Sequence, residues 1–196
     1  MTAQSIRFPT LATALWGRNA VVRNLALVVV GTALLAISAK IKIPFYPVPM
    51  TMQTLVVLGL GMVYGWKLGF STVGVYLAAG ALGMPVFAGT PEKGIGLAYM
   101  MGPTGGYLLG FLVAALVVGY LAEKGWDRRV ATTFLAMLIG NIAIYVPGLL
   151  WLGSVVGWDK PVLAWGMTPF LVGDLVKIVI AMIVLPGAWK LVNKVR

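Results

Sequence analysis

Cysteine and histidine are both absent from this chain of 196 residues. Without cysteine there is neither a disulfide nor a thiolate metal site. Without histidine the commonest general base and transition-metal ligand is gone. Carboxylates are scarce: Glu92, Glu123, Asp127, Asp159 and Asp174 are the whole set. No Ser–His or Cys–His pair for nucleophilic catalysis can be assembled, and no metal-ligand cluster stands out. There is no GxxxxGK(S/T) run to cradle ATP phosphates. Nor do two similar halves appear, as secondary transporters often show. These absences speak against an enzyme and against a resident metal or cofactor.

Charge is thin as well, at 10% of residues, where soluble domains carry about 25%. Hydrophobic residues make up 60% of the chain, and the mean hydropathy is +0.96. So little polar surface cannot cover a soluble core, whereas lipid accepts apolar side chains directly. The net charge of +10 does not read as a nucleic-acid footprint, because the basic residues lie between apolar runs rather than in one patch.

A membrane-crossing helix takes about 20 mainly apolar residues. Runs of that kind predict an all-α membrane protein, a bundle of six transmembrane helices over 21–39, 50–66, 67–83, 103–122, 130–153 and 167–191. Pro44, Pro47 and Pro49 forbid a helix between the first two. Residues 84–102, rich in Gly and Pro, form a long loop between helices 3 and 4. A loop of that length is functional or disordered. Residues 154–166 return to the surface. Pro147 and Gly148 are expected to loosen helix 5.

Six spans put both termini on one side. That side holds Arg7, Arg18, Arg23, Lys67, Lys124, Arg128, Arg129, Lys190, Lys194 and Arg196. The other holds Lys40, Lys42, Lys93 and Lys160. The bias makes both termini cytoplasmic and the long loop extracellular. Trp16, Trp66, Trp126, Trp158, Trp165 and Trp189 stand at the expected boundaries, as an aromatic belt does. Residues 1–19 then read as a cytoplasmic tail, 20–192 as the transmembrane domain and 193–196 as a second tail. No cleavable signal peptide is evident in 1–19. Within it, 5–16 reads either as a short interfacial helix or as a loose segment.

Asp174 and Lys177 lie three apart in helix 6, on one face and inside an apolar run. Ionisable groups in a span mark function by default; a structural ion pair with a snorkelling lysine is the other reading. Asn141 and Tyr145 share a face of helix 5, four residues apart. Asn supplies both donors and an acceptor, suited to a cyclic urea or amide, and equally suited to an interhelical bond. Gln53 opens helix 2 beside the proline-rich turn and reaches a ligand or caps backbone. Phe87 and Lys93 in the long loop are candidates to cover a ligand and to meet a carboxylate; a solvated lysine is the alternative. Trp151 walls a pocket or faces lipid. Gly106, Gly110 and Ala114 form a small-residue stripe that reads as helix packing. All the polar candidates fall near the same ends of their helices, which predicts a pocket opening outward.

Four stretches in order, Ile43-Pro44-Phe45-Tyr46-Pro47-Val48-Pro49-Met50-Thr51-Met52-Gln53-Thr54-Leu55, Leu82-Gly83-Met84-Pro85-Val86-Phe87-Ala88-Gly89, Gly102-Pro103-Thr104-Gly105-Gly106-Tyr107 and Gly173-Asp174-Leu175-Val176-Lys177, resemble the BioY family. These are the biotin-binding substrate-specificity (S) subunits of energy-coupling-factor transporters. The resemblance spans 21–191 and implies high-affinity biotin capture in the bacterial cytoplasmic membrane. It implies a transmembrane coupling protein and two cytoplasmic ATPase subunits as partners. It also implies that Asp174 and Lys177 belong to the biotin site, with Gln53, Asn141, Tyr145 and the long loop as neighbours. The family's Ala-xxx-Ala-like docking face on helix 1 has no clean copy here, although Thr32 and Ala36 stand at its spacing. The competing reading is a stand-alone facilitator, or a proton-coupled carrier with Asp174 as its proton site.

Overall fold

The computed structural model describes residues 9–16 and 21–195. Arg7, Arg18 and Arg196, and the 5–8 part of the predicted interfacial segment, lie outside the described residues.

Helix α1 (Leu11–Trp16) leads to α2 (Val21–Lys40). A two-stranded antiparallel hairpin follows, with β1 (Lys42–Ile43) paired to β2 (Met50–Thr51) in the register Lys42–Thr51. Then come α3 (Gln53–Tyr64), α4 (Trp66–Ala81), the short α5 (Gly96–Met100), α6 (Gly105–Ala122) and α7 (Val130–Val156). The chain closes with α8 (Val162–Gly166), a 3-10 turn over Thr168–Phe170 and α9 (Leu171–Val195). Among the described residues, four segments are long and apolar enough to cross a membrane: Val21–Lys40, Gly105–Ala122, Val130–Val156 and Val162–Lys194. Helix α3 is apolar but only 12 residues long.

Several boundaries differ from expectation, each for a local reason. The second helix starts at Gln53 rather than at 50, because Met50 and Thr51 pair with β1. The break before α4 falls at Gly65 instead of Lys67. Gly65 has φ +81, a left-handed conformation open to glycine. A Cβ there would also stand 2.8 Å from Glu123 Oε1. Helix α7 runs to Val156, past the expected end at 153, and stays helical through Pro147 and Gly148. The connections 82–104 and 157–170 each contain a short helix, α5 and α8. The segment over Leu11–Trp16 is helical and buries Leu11, Ala12 and Ala14. It packs against α3 and α9.

The outward face of the bundle is apolar. Val21, Val22 and Val29 on α2 are 78%, 78% and 68% exposed, and Val172 on α9 is 75% exposed. An apolar surface of this extent suits acyl chains rather than water. The inside is close-packed through small residues. Positions that would carry a Cβ at Gly61, Gly106 and Gly110 lie within 2.9 Å of backbone oxygens on the facing helix. That proximity brings α6 against both α3 and α7.

Candidate substrate site

Helix α9 turns Asp174, Lys177, Ile178, Ala181 and Leu185 inward, while Val172, Leu175 and Val176 point out. The 3.6-residue period places the acid and the base together on the buried face. Each is 6% exposed. Lys177 Nζ lies 3.2 Å from Asp174 Oδ1. The same ammonium donates to Thr54 Oγ1 at 2.8 Å, and Thr54 Oγ1 in turn lies 3.4 Å from Asp174 Oδ1. Tyr145 on α7 donates its hydroxyl to Asp174 Oδ2. Both carboxylate oxygens are therefore partnered, and the lysine keeps one of its three N–H groups for something else. Lys177 does not snorkel.

This cluster lines a cavity at one end of the bundle. Its walls come from α3, α6, α7 and α9, and its cover from the hairpin and the 86–99 segment. Asn141 reaches the lining from α7, is 6% exposed and has no side-chain hydrogen bond to any described residue. Its amide is open to the cavity rather than sealed in the packing, so a ligand or water can complete its hydrogen bonds. Gln53 also lines the cavity and is 3% exposed. It donates from Nε2 to Tyr76 OH at 2.7 Å, and Tyr76 OH donates onward to Val86 O at 3.1 Å. Tyr107, Phe111 and Ile144 give the cavity its apolar wall.

The structure thus brings Asp174, Lys177, Asn141, Tyr145 and Gln53 together. It leaves Phe87, Lys93 and Trp151 outside the lining. Phe87 is fully buried beneath the cover. Its ring stacks on Tyr99 at 5.1 Å and meets Tyr76 edge-on at 5.5 Å. Lys93 Nζ sits 5.8 Å from the centre of the Tyr46 ring. Trp151 Nε1 donates to Gly102 O at 2.9 Å, fixing the entry to α6. Thr54, Tyr76 and Tyr107 were not singled out by sequence reasoning. Thr54 follows Gln53 directly, and its place one helical step along the same opening turn was the available signal.

The family model described as the BioY family matches residues 8–194. A protein of Pyrococcus horikoshii named as a probable biotin transporter is 38% identical over 162 residues, covering 83% of this chain and 93% of that one. A biotin transporter of Thermotoga maritima is 39% identical over 154 residues, covering 78% of this chain and 88% of that one. A crystal structure of the S-component for biotin from an ECF-type ABC transporter matches with a TM-score of 0.69 at 26% identity. The match covers 86% of this chain and 92% of that chain.

Proposed function

The chain belongs to the BioY family, and from that premise we propose that it is a membrane protein that captures biotin for uptake, as the S subunit of an energy-coupling-factor transporter. The observation that carries this reading is the buried Asp174–Lys177 pair facing an unpartnered Asn141 amide in a covered cavity. The ureido ring of biotin offers two N–H donors and one carbonyl acceptor. Asp174, Asn141 and the remaining Lys177 donor supply the matching groups. Phe111, Tyr107 and Ile144 suit the thioether ring. The carboxylated tail points toward the cover, where Lys93 is the cation that would turn from Tyr46 to meet it.

The helices α2, α3, α4, α6, α7 and α9 make up six spans, with 20–192 as the transmembrane domain. Lys67 at the start of α4, Lys124, Arg128 and Arg129 between α6 and α7, and Lys190 and Lys194 in the last turns of α9 fall at the helix ends away from the cavity-lining residues, which supports cytoplasmic termini in the bacterial cytoplasmic membrane. The 84–102 segment then covers the site from outside. A transmembrane coupling protein and two cytoplasmic ATPase subunits complete the transporter and release biotin inside. The chain's own task is binding rather than catalysis.

Calorimetry on detergent-solubilised protein tests the site. Wild-type protein binds biotin saturably. Asp174→Asn and Lys177→Ala each leave a buried charge without its partner, and each weakens binding about 100-fold or more, on the order of 3 kcal/mol. Wild-type affinity in both variants, at unchanged monodispersity, would falsify the assignment.

A further inference from the structure

The cavity end of the bundle carries few basic residues, and those it has are engaged. Lys160 pairs with Asp159 at 2.8 Å. Lys93 lies over the Tyr46 ring. Lys40 and Lys42 do something different. Lys40 Nζ donates to Phe87 O at 2.9 Å and to Thr90 O at 2.8 Å, with Thr90 Oγ1 at 3.3 Å. Lys42 Nζ donates to Ala88 O at 2.7 Å. Two ammonium groups from the end of α2 and the start of the hairpin thus hold three of the four carbonyls of the 87–90 stretch. Such charge-assisted bonds are among the stronger ones a side chain makes.

The stretch they hold is half of the cavity's cover. Ala88 lines the cavity from that side; Val48, Pro49, Met50 and Thr51 line it from the hairpin. From within, Phe87 anchors the stretch in a slot where Gly80 has no side chain: a Cβ there would stand 2.0 Å from Phe87 Cζ. One half of the cover is therefore fixed to α4; Lys42 ties the hairpin to it, and Lys40 ties it to the end of α2 that leads into the hairpin. The hairpin has only two paired residues per strand, too few to hold itself closed.

Resting on the biotin-capture reading, we propose that Lys40 and Lys42 are positioning residues that latch the end of α2 and the hairpin it leads into to the 87–90 stretch, so that their release sets the rate at which biotin enters and leaves. Neither lysine lines this cavity, although Lys42 borders an adjoining groove that shares Met50, Thr51 and Lys177 with it. Their removal changes access and leaves the recognising groups intact. A latched cover slows entry and exit together, because both need the same opening.

Stopped-flow association and dissociation of biotin, on purified protein, tests the latch with Lys40→Met combined with Lys42→Met. Both rate constants are expected to rise about tenfold while the dissociation constant moves far less. The Lys42→Arg variant keeps N–H donors toward Ala88 O and stays near wild-type rates. Rates within about twofold of wild type in the double variant overturn the latch. So does a faster dissociation with unchanged association, which marks damage to the site. If wild-type protein binds no biotin, the capture reading and the latch fall together. The two failures are distinct, since one is read in the wild type and the other only in the variant.

Discussion

Asp127 sits in the turn between α6 and α7 with none of its surface exposed. One carboxylate oxygen, Oδ2, accepts from Trp189 Nε1 on α9, and Oδ1 has no partner. The Arg128 guanidinium lies 4.2 Å from the Trp189 ring centre and also donates to Pro9 O at 3.3 Å. Burial pushes the Asp127 carboxyl up to about 6, against the smaller opposing pull of the Trp189 bond and the Arg128 charge. A carboxyl raised above its unfolded value near 3.8 favours the folded state only while protonated. Its contribution is complete below the unfolded value and lost as the pH climbs through about 6. The thermal midpoint of the solubilised protein should therefore fall between pH 4.5 and pH 7.5, by a stability difference of about 2 kcal/mol. Asp127→Asn should flatten that slope; an equally steep decline in the variant sinks the assignment. Nothing local in the sequence marked this residue, since its partner Trp189 lies on α9, far along the chain. Asp174 and Lys177 were legible because charge inside an apolar run is rare and their spacing fixes a shared face. Asn141 and Gln53 were legible as polar residues in spans. Thr54 and Tyr76 were not, because hydroxyls are common in spans and their partners lie on other helices. Lys93 was legible as a loop cation, yet its observed place over Tyr46 depends on how two separate loops fold together.

Between α6 and α7 the small-residue stripe sets the distance. A Cβ at Gly110 would stand 2.7 Å from Ile144 O and 2.8 Å from Ile144 Cα, both backbone atoms that cannot rotate away. At Gly59 on α3, by contrast, a Cβ would meet nothing within 4 Å. The two sites make a matched pair. Gly110→Leu should wedge α6 from α7 and lower the thermal stability by about 1–3 kcal/mol. It should weaken biotin binding too, because Asn141 and Tyr145 flank Ile144 on the displaced helix. Gly59→Ala should raise helix stability by up to about 1 kcal/mol. Melting curves on both variants check this, and equal shifts would show that the stripe does not control the contact. The stripe itself was readable as spacing, but its partner was not. Thr32 shows the converse: it reads as part of an outward docking surface, yet its hydroxyl lies 3.5 Å from Thr72 O on α4. The hairpin was hidden because its strands are two residues each and prolines separate them. The long apolar helices were legible from hydropathy alone; the Gly65 break was misplaced because Lys67 is the more conspicuous residue.

Taken whole, the bundle has a covered cavity at one end and a packed opposite end. There Val118 and Ala122 on α6 have no exposed surface, Trp189 is 4% exposed and α1 tucks Leu11 and Ala12 beneath α3. Among the described residues this packing leaves a ligand in the cavity no open route to the far side. Two mechanisms could supply one. A stand-alone carrier would open the packed end itself, driven by a gradient or by a proton on Asp174. A captor would depend on partner subunits that move the whole bundle. The packing favours the second. Small-residue contacts at backbone distance join α6 to α3 and to α7, and tightly packed interfaces shift between discrete arrangements rather than stretching. Asp174 also has three hydrogen-bonding neighbours, Lys177, Thr54 and Tyr145, an arrangement that holds the carboxylate in place as a recognising group. Reconstituted liposomes separate the two. The chain alone should bind biotin and accumulate none, with or without an inward proton gradient. Adding the transmembrane coupling protein, both ATPase subunits and ATP should start uptake, and a non-hydrolysable ATP analogue should stop it. Accumulation by the chain alone, abolished by Asp174→Asn and steepened by a proton gradient, would instead make the molecule a complete carrier, with Asp174 its proton site.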